Sequence, residues 1–271
     1  MRKSIRTIVA LLTSSSLAVL GSGVASASPD DTEKEKSEIV RALDRVSLRD
    51  ESKVVESAVS AKNSLGRIAL GAGEVTVPED VRDGVTLTSP ENTSISVEPT
   101  TSTKWSKPFV MDSGGVTYTS NEGYAESVIV GNGSVQMLTT IKEATAPTKY
   151  RYTMHLETGQ KLQFSEGAPA VINEDGSVEL AVQAPWAVDA HGNSVPTHYE
   201  IEGNVLTQVV DHSKLSADSY PVVADPVWIP AWLFRCLVGM GINSASILRS
   251  AEMGSLWGVF GKAAWHCIRG R

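Results

Sequence analysis

The stretch KYRYTMHLETGQKLQFSEGAPAVINEDGSVELAVQAPWAVDAHGNSVPTHYEIEGNVLTQVVDHSKLSADSYPVVADPVW, residues 149–228, decides the fold. Tyr150, Tyr152, Met154 and Leu156 alternate with Arg151, Thr153, His155 and Glu157, and Leu162 and Phe164 resume the pattern after a turn at Thr158-Gly159. A turn at Asn173-Glu174-Asp175-Gly176 leads into Val178, Leu180 and Val182, and one at Ala190-His191-Gly192-Asn193 leads into Val195, Thr197, Tyr199 and Ile201. Glu202-Gly203-Asn204 then turns into a further run, Val205–Val210. A period of two, with Gly, Asn and Asp at the turns, describes antiparallel strands with one face buried and one wet. Such a sheet must cover its apolar face. The expected class is therefore mainly β, an antiparallel sandwich or a partly closed barrel.

Upstream of residue 149 the same signals are weaker. Val116-Thr117-Tyr118-Thr119 and Ser127-Val128-Ile129-Val130 read as strands, and Gly131-Asn132-Gly133 supplies a tight hairpin into Ser134–Ile141. Residues 71–107 are rich in Thr, Ser, Pro and Gly, and read either as the first strands or as an extended connector. Between residues 38 and 65 apolar residues recur at helical intervals (Ile39, Ala42, Leu43, Val46, then Val54, Val55, Ala58, Val59 and Leu65), which predicts one or two amphipathic helices packed on the β body. Residues 29–38, nearly all charged or polar, read as a solvated linker.

At the N-terminus, Arg2, Lys3 and Arg6 precede an uncharged run that ends in Ala25-Ser26-Ala27. This is the pattern of a secretory signal with a small-residue cleavage site. An uncleaved anchor is the competing reading, since about 18 apolar residues span a bilayer; the Ser, Thr and Gly within the run argue for cleavage. The expected location is outside the cell, free or associated with the wall. The expected organisation is a signal peptide (1–27), a charged linker with amphipathic helices (28–70), an antiparallel β domain (71–228) and a cationic apolar helical tail (229–271).

The chain carries −7 in total, of which the leader contributes +3 and residues 229–271 contribute +4, leaving −14 for residues 28–228. A body this acidic is the wrong partner for phosphate backbones, so nucleic acid is not expected to bind. The tail has the opposite sign and a different texture. Strand alternation stops, apolar blocks follow one another, and Asn243-Ser244 and Gly254-Ser255 break them into helices. Cys236 and Cys267 both lie here, and in an exported protein they are expected to form one disulfide worth roughly 3–4 kcal/mol in the chain-entropy picture. That bridge would tie the first helix to the last in a helical hairpin. Two free buried thiols are the alternative.

Two readings of the tail stand. In one it is an ordinary cap on the β body. In the other it is a cationic amphipathic unit that meets a membrane or cell-wall component through Trp232, Arg235, Trp257, Lys262, Trp265, Arg269 and Arg271. A cross-linked, Gly- and Trp-rich cationic peptide is bacteriocin-like in composition. Trp186, Asp189 and Trp228 are a candidate ledge for a sugar, on residue type alone.

The runs Ala184-Pro185-Trp186, Asp189-Ala190-His191-Gly192-Asn193 and Tyr220-Pro221-Val222-Val223-Ala224-Asp225-Pro226-Val227-Trp228 resemble those of secreted actinobacterial proteins. These similarly combine a signal peptide, a β region closed by an ADP-x-W-like motif and a variable apolar tail with cysteines. The resemblance covers about residues 149–235. It implies an exported location and this architecture, and carries no activity or catalytic residue.

No G-x-S-x-G elbow, H-E-x-x-H pair or phosphate-binding Gly loop occurs. The histidines are expected at the surface, with His155 and His198 on polar strand faces and His191 in a turn. Next to the cysteines only His266 is available as a further zinc ligand, so neither a metal nor another cofactor is expected. The expectation is an exported, non-enzymatic protein whose tail acts at membranes, or alternatively an envelope carbohydrate- or protein-binding module capped by that tail. Oligomeric state is open.

Overall fold

The computed structural model describes residues 29–70, 73–101, 103–254 and 256–269. The expected signal peptide and Arg271 lie outside the described residues. Two antiparallel sheets and four α-helices make up the described chain, and neither sheet closes into a barrel. One sheet has seven strands. These are β1 (Gly66–Leu70), β2 (Gly73–Val77), β3 (Val85–Thr88), β4 (Ser94–Pro99), β9 (Lys149–His155), β15 (Val205–Val210) and β14 (Thr197–Glu202), in that spatial order. The stretch 71–107 thus supplies strands, and the connector reading fails.

The ten-stranded sheet takes β5 (Phe109–Val110), β6 (Val116–Thr119), β7 (Tyr124–Gly131), β8 (Ser134–Ile141), β10 (Lys161–Ser165), β11 (Ala168–Ile172), β12 (Val178–Val182), β13 (Ala187–Val188), β16 (Val222–Ala224) and β17 (Val227–Pro230). Its main path runs β10-β11-β12-β17-β8-β7-β6-β5, with the short β13–β16 pair beside β8.

The turn chemistry sets these registers. Gly131 pairs with Ser134, leaving Asn132-Gly133 as a two-residue loop in which Gly133 takes φ +96°, a conformation that L side chains resist. Glu202 pairs with Val205 around Gly203-Asn204 in the same way. In β9, Tyr150, Tyr152 and Met154 point inward and are buried, while Lys149, Arg151 and His155 are exposed. The chain leaves the seven-stranded sheet after β9 and enters the other at β10, where Leu162 is buried but Phe164 is half exposed.

Alternation is absent from β7 and β8, in which every residue is buried. Their inner face meets the other sheet. Their outer face is covered by α1 (Pro29–Arg49), whose Ile39, Ala42, Leu43 and Val46 pack on Ala125, Ile129, Leu138 and Val223. A strand covered on both faces loses its polar face.

The N-terminal expectation needs two corrections. The charged run 29–38 is the first half of α1 rather than a linker. Asp30 and Asp31 sit where a helix N-terminus favours negative charge, Lys36 pairs with Glu33 one turn away, and Lys142 of β8's end pairs with Glu35. Conversely, residues 54–59 are not helical. Gln136 in β8 holds this segment extended by accepting from the Val55 N–H (2.8 Å) and donating to the Lys53 carbonyl (2.6 Å), and the Ala58 N–H then reaches the Val130 carbonyl (2.8 Å).

The tail also departs from a hairpin. Ile229 and Pro230 still belong to β17, paired with Ala181 and Leu180. Three helices follow, divided near the two expected breaks: α2 (Ala231–Gly239), α3 (Ser244–Glu252) and α4 (Leu256–Arg269). Asn243 caps α3 by accepting from the Ala245 N–H at 2.8 Å. The Cys236–Cys267 disulfide joins α2 to α4 with Cα atoms 5.7 Å apart.

Candidate functional site

The expected sugar ledge does not assemble. Trp228 is fully buried, edge-to-face with Tyr152 at 5.6 Å between ring centroids. Asp189 spends its carboxylate on its own turn, accepting from the backbone N–H groups of His191 (2.9 Å) and Asn193 (2.8 Å) and from Asn193 Nδ2 (3.0 Å). Trp186 lies under the Lys53 ammonium, 5.0 Å from its ring centroid. The motif residues are structural. Ala187 pairs with Ala224, and the buried Asp225 Oδ1 accepts the Trp186 N–H at 2.9 Å, locking the 184–193 turn to the 220–228 strand.

The tail residues divide into two groups. Trp232 is 8% exposed and seated on Gly73, where a Cβ would come within 2.9 Å of the indole. Arg235 turns inward to Glu91 (2.6 Å) and to the buried Glu179 (3.2 Å), and Arg249 pairs with Glu166 (2.8 Å). Trp232 and Arg235 therefore both contact the body, Trp232 buried and Arg235 still partly exposed. Leu233, Phe234, Leu237, Ile247, Leu248, Ala251, Leu256 and Ala264 join the same core as the sandwich interior. Lys262 is exposed, Trp257 is half-buried and Trp265 is 51% exposed. Arg269 ends α4.

On α4, Trp257, Gly258, Gly261, Trp265 and Ile268 recur at helical spacing and line one side of a groove of about 590 Å³. Its other side is built by Glu51, Val54, Val55 and Glu56 from the extended segment, with Asn132 of the β7–β8 turn and Gln183 after β12. Gly258 and Gly261 cost α4 up to about 1 kcal/mol each relative to alanine. A Cβ at either would meet nothing within 4 Å, so packing does not demand them, and their effect is to keep the groove floor open. Gln183 is 8% exposed, and its side-chain amide nitrogen is buried without a hydrogen-bond partner. The groove thus offers indole surface and two carboxylates, with Gln183 and its unpaired, buried amide nitrogen in its wall. Trp257 and Trp265 were legible as candidates in the sequence, whereas Glu51, Glu56 and Gln183 carried no signal because only the fold brings them to α4.

The histidines do not gather. His155, His191 and His198 are exposed beside Glu98 (3.3 Å), Asp218 (3.5 Å) and Glu200 (3.6 Å). His212 departs from the expected surface placement: it is fully buried, with Nε2 2.9 Å from the Pro147 carbonyl and Nδ1 3.1 Å from the Tyr220 hydroxyl. Among the described residues no cluster of three His, Cys, Asp or Glu is placed to hold a metal, and no helix is long and apolar enough to cross a membrane. No family model, curated protein or solved structure matches the chain.

Proposed function

We propose that this is an exported, non-enzymatic binding protein of the cell envelope, whose groove beside α4 takes a carbohydrate chain of the wall while α2 and α3 serve as a structural cap. Export is supported by Arg2, Lys3 and Arg6 ahead of the apolar run ending in Ala25-Ser26-Ala27. The observation that carries the binding role is the meeting of Trp257 and Trp265 with the buried, partnerless Gln183 amide in one open groove. The C–H faces of a sugar stack on indole rings, and its hydroxyls donate to carboxylates and accept from amides. A groove that is mostly apolar with a few convergent polar groups is the usual form of a ligand site.

Retention of the full-length protein on purified cell walls tests this reading. Trp265→Ala is expected to reduce retention about tenfold, the loss of a stacking contact worth about 1.4 kcal/mol, and to leave the thermal midpoint unchanged. Equal retention of the variant and the wild type would refute the groove's role.

One observation favours a second reading. Val238, Met240, Met253, Val259 and Trp265 are large apolar side chains left exposed on the tail, with Lys262 among them. Such a face suits shallow insertion at an anionic lipid surface. Co-sedimentation of the full-length protein with phosphatidylglycerol vesicles, weakened by Met253→Ala as much as by Trp265→Ala, would favour it over the groove. A peptide of residues 229–271 would not report on either, since it would lose the packing of α2 and α3 on β11, β12 and β17.

A further inference from the structure

At the opposite end of β7 from the hairpin that borders the α4 groove, a separate polar cavity of about 270 Å³ opens between the ends of β4, β7 and β9. Glu126 and Tyr150 line it from within. Glu126 is 1% exposed. Its Oε1 accepts from Thr139 Oγ1 (2.7 Å) and from the Tyr152 hydroxyl (3.2 Å), whereas its Oε2 is buried and has no partner. Tyr150 is 4% exposed, and its hydroxyl is also buried without a partner. Two buried side chains, each with an unspent polar atom, thus line one cavity, although most buried polar groups are satisfied.

The surroundings say what would satisfy them. The other titratable groups near Glu126 are phenols (Tyr118 on β6, Tyr124 on β7, Tyr152 beside Tyr150 on β9), and Tyr124 and Tyr150 stack edge-to-face at 5.2 Å. Glu122 adds a carboxylate to the lining. Lys149 and Arg151 also line the cavity, but Lys149 is engaged by Glu200 at 2.8 Å, and no described basic side chain is within ion-pair distance of Glu126. Burial pushes the Glu126 carboxyl up to about 7, against the lowering effect of Thr139 and then Tyr152. Near neutrality it is therefore poised between the neutral acid and an uncompensated buried anion, and a cation in the cavity would favour the anion. An ammonium satisfies the carboxylate oxygen with a charge-assisted hydrogen bond, donates a second N–H to the phenol oxygen, and finds aromatic surface beside it.

We propose that this cavity is a binding site for a small molecule carrying a primary ammonium group, held by Glu126 Oε2 and the Tyr150 hydroxyl. The site is independent of the α4 groove and of what that groove binds.

Calorimetric titration of the full-length protein with ethylammonium chloride tests it, with tetramethylammonium chloride as a cation that has no N–H to donate. Saturable binding of ethylammonium is expected at pH 8, at least tenfold weaker at pH 5.5 and in Glu126→Gln, with no binding of tetramethylammonium. Tyr150→Phe is expected to weaken it while leaving its pH dependence in place. A measurement that needs no variant is the carbon-13 titration of the Glu126 carboxyl, whose midpoint is expected to fall when ethylammonium saturates the site. Absence of saturable binding at pH 8, equal binding by Glu126→Gln, equal binding of tetramethylammonium, or an unmoved midpoint would overturn the proposal.

Discussion

Glu126 and Asp225 are the residues at which this molecule departs most from an ordinary sandwich core. Burial raises the Asp225 carboxyl to about 8, outweighing the Trp186 N–H that lowers it, and raises the Glu126 carboxyl to about 7. Both values lie above those of the unfolded chain, so the native state keeps two protons that the unfolded state has released. Their contribution to stability is fully present below about pH 4 and is lost as pH rises through 7 to 8. Urea unfolding is therefore expected to show higher stability at pH 5 than at pH 8, by an amount on the order of a few kcal/mol. Asp225→Asn combined with Glu126→Gln is expected to flatten that slope; a slope unchanged in the double variant would contradict the assignment. Neither acid was legible as buried in the sequence. Glu126 occupies an ordinary strand position, and its burial depends on Tyr150 and Tyr152, which arrive from β9 in the facing sheet.

The hairpin of β7 and β8 was legible from its turn although both its faces are covered, whereas charge hid the first half of α1. Alternation and turn residues give β9, β10, β12, β14 and β15, although β12 is buried throughout; the short, covered β11, β13, β16 and β17 carry no alternation and were not read. In α1 the charged half looks unstructured until Lys36–Glu33 and Lys142–Glu35 pairs and the adjoining apolar stripe are seen together. The tail's helical character and its cysteine pair were readable. Its attachment was not, because the cues are single distant residues: Gly73 beneath Trp232, and Glu91 and Glu179 around Arg235. The two classes of tail residue should separate by mutation. Leu237→Ala, at a fully buried site between α2 and the sheets, is expected to cost about 2–5 kcal/mol in urea unfolding. Lys262→Ala, at an exposed site on α4, is expected to stay within about 0.5 kcal/mol. Similar costs for the two would mean that the tail is not part of the core.

Across the whole molecule, charge and packing point the same way. A body of −14 receives a tail of +4, and Arg235 and Arg249 spend their charge on body carboxylates rather than on an outside surface. What the tail turns outward is one side of α4 with its two open glycines, across from the segment 51–56, together with the exposed Val238, Met240 and Met253. That groove is the proposed binding site. Its most direct test is Gly261→Leu, whose Cβ would meet nothing within 4 Å and which adds bulk to the floor of the groove and replaces a poor helix former with a good one. The variant is expected to keep or raise its thermal midpoint and to lose its retention on purified cell walls. A Gly261→Leu protein that is equally stable and still held by the wall would contradict the central claim.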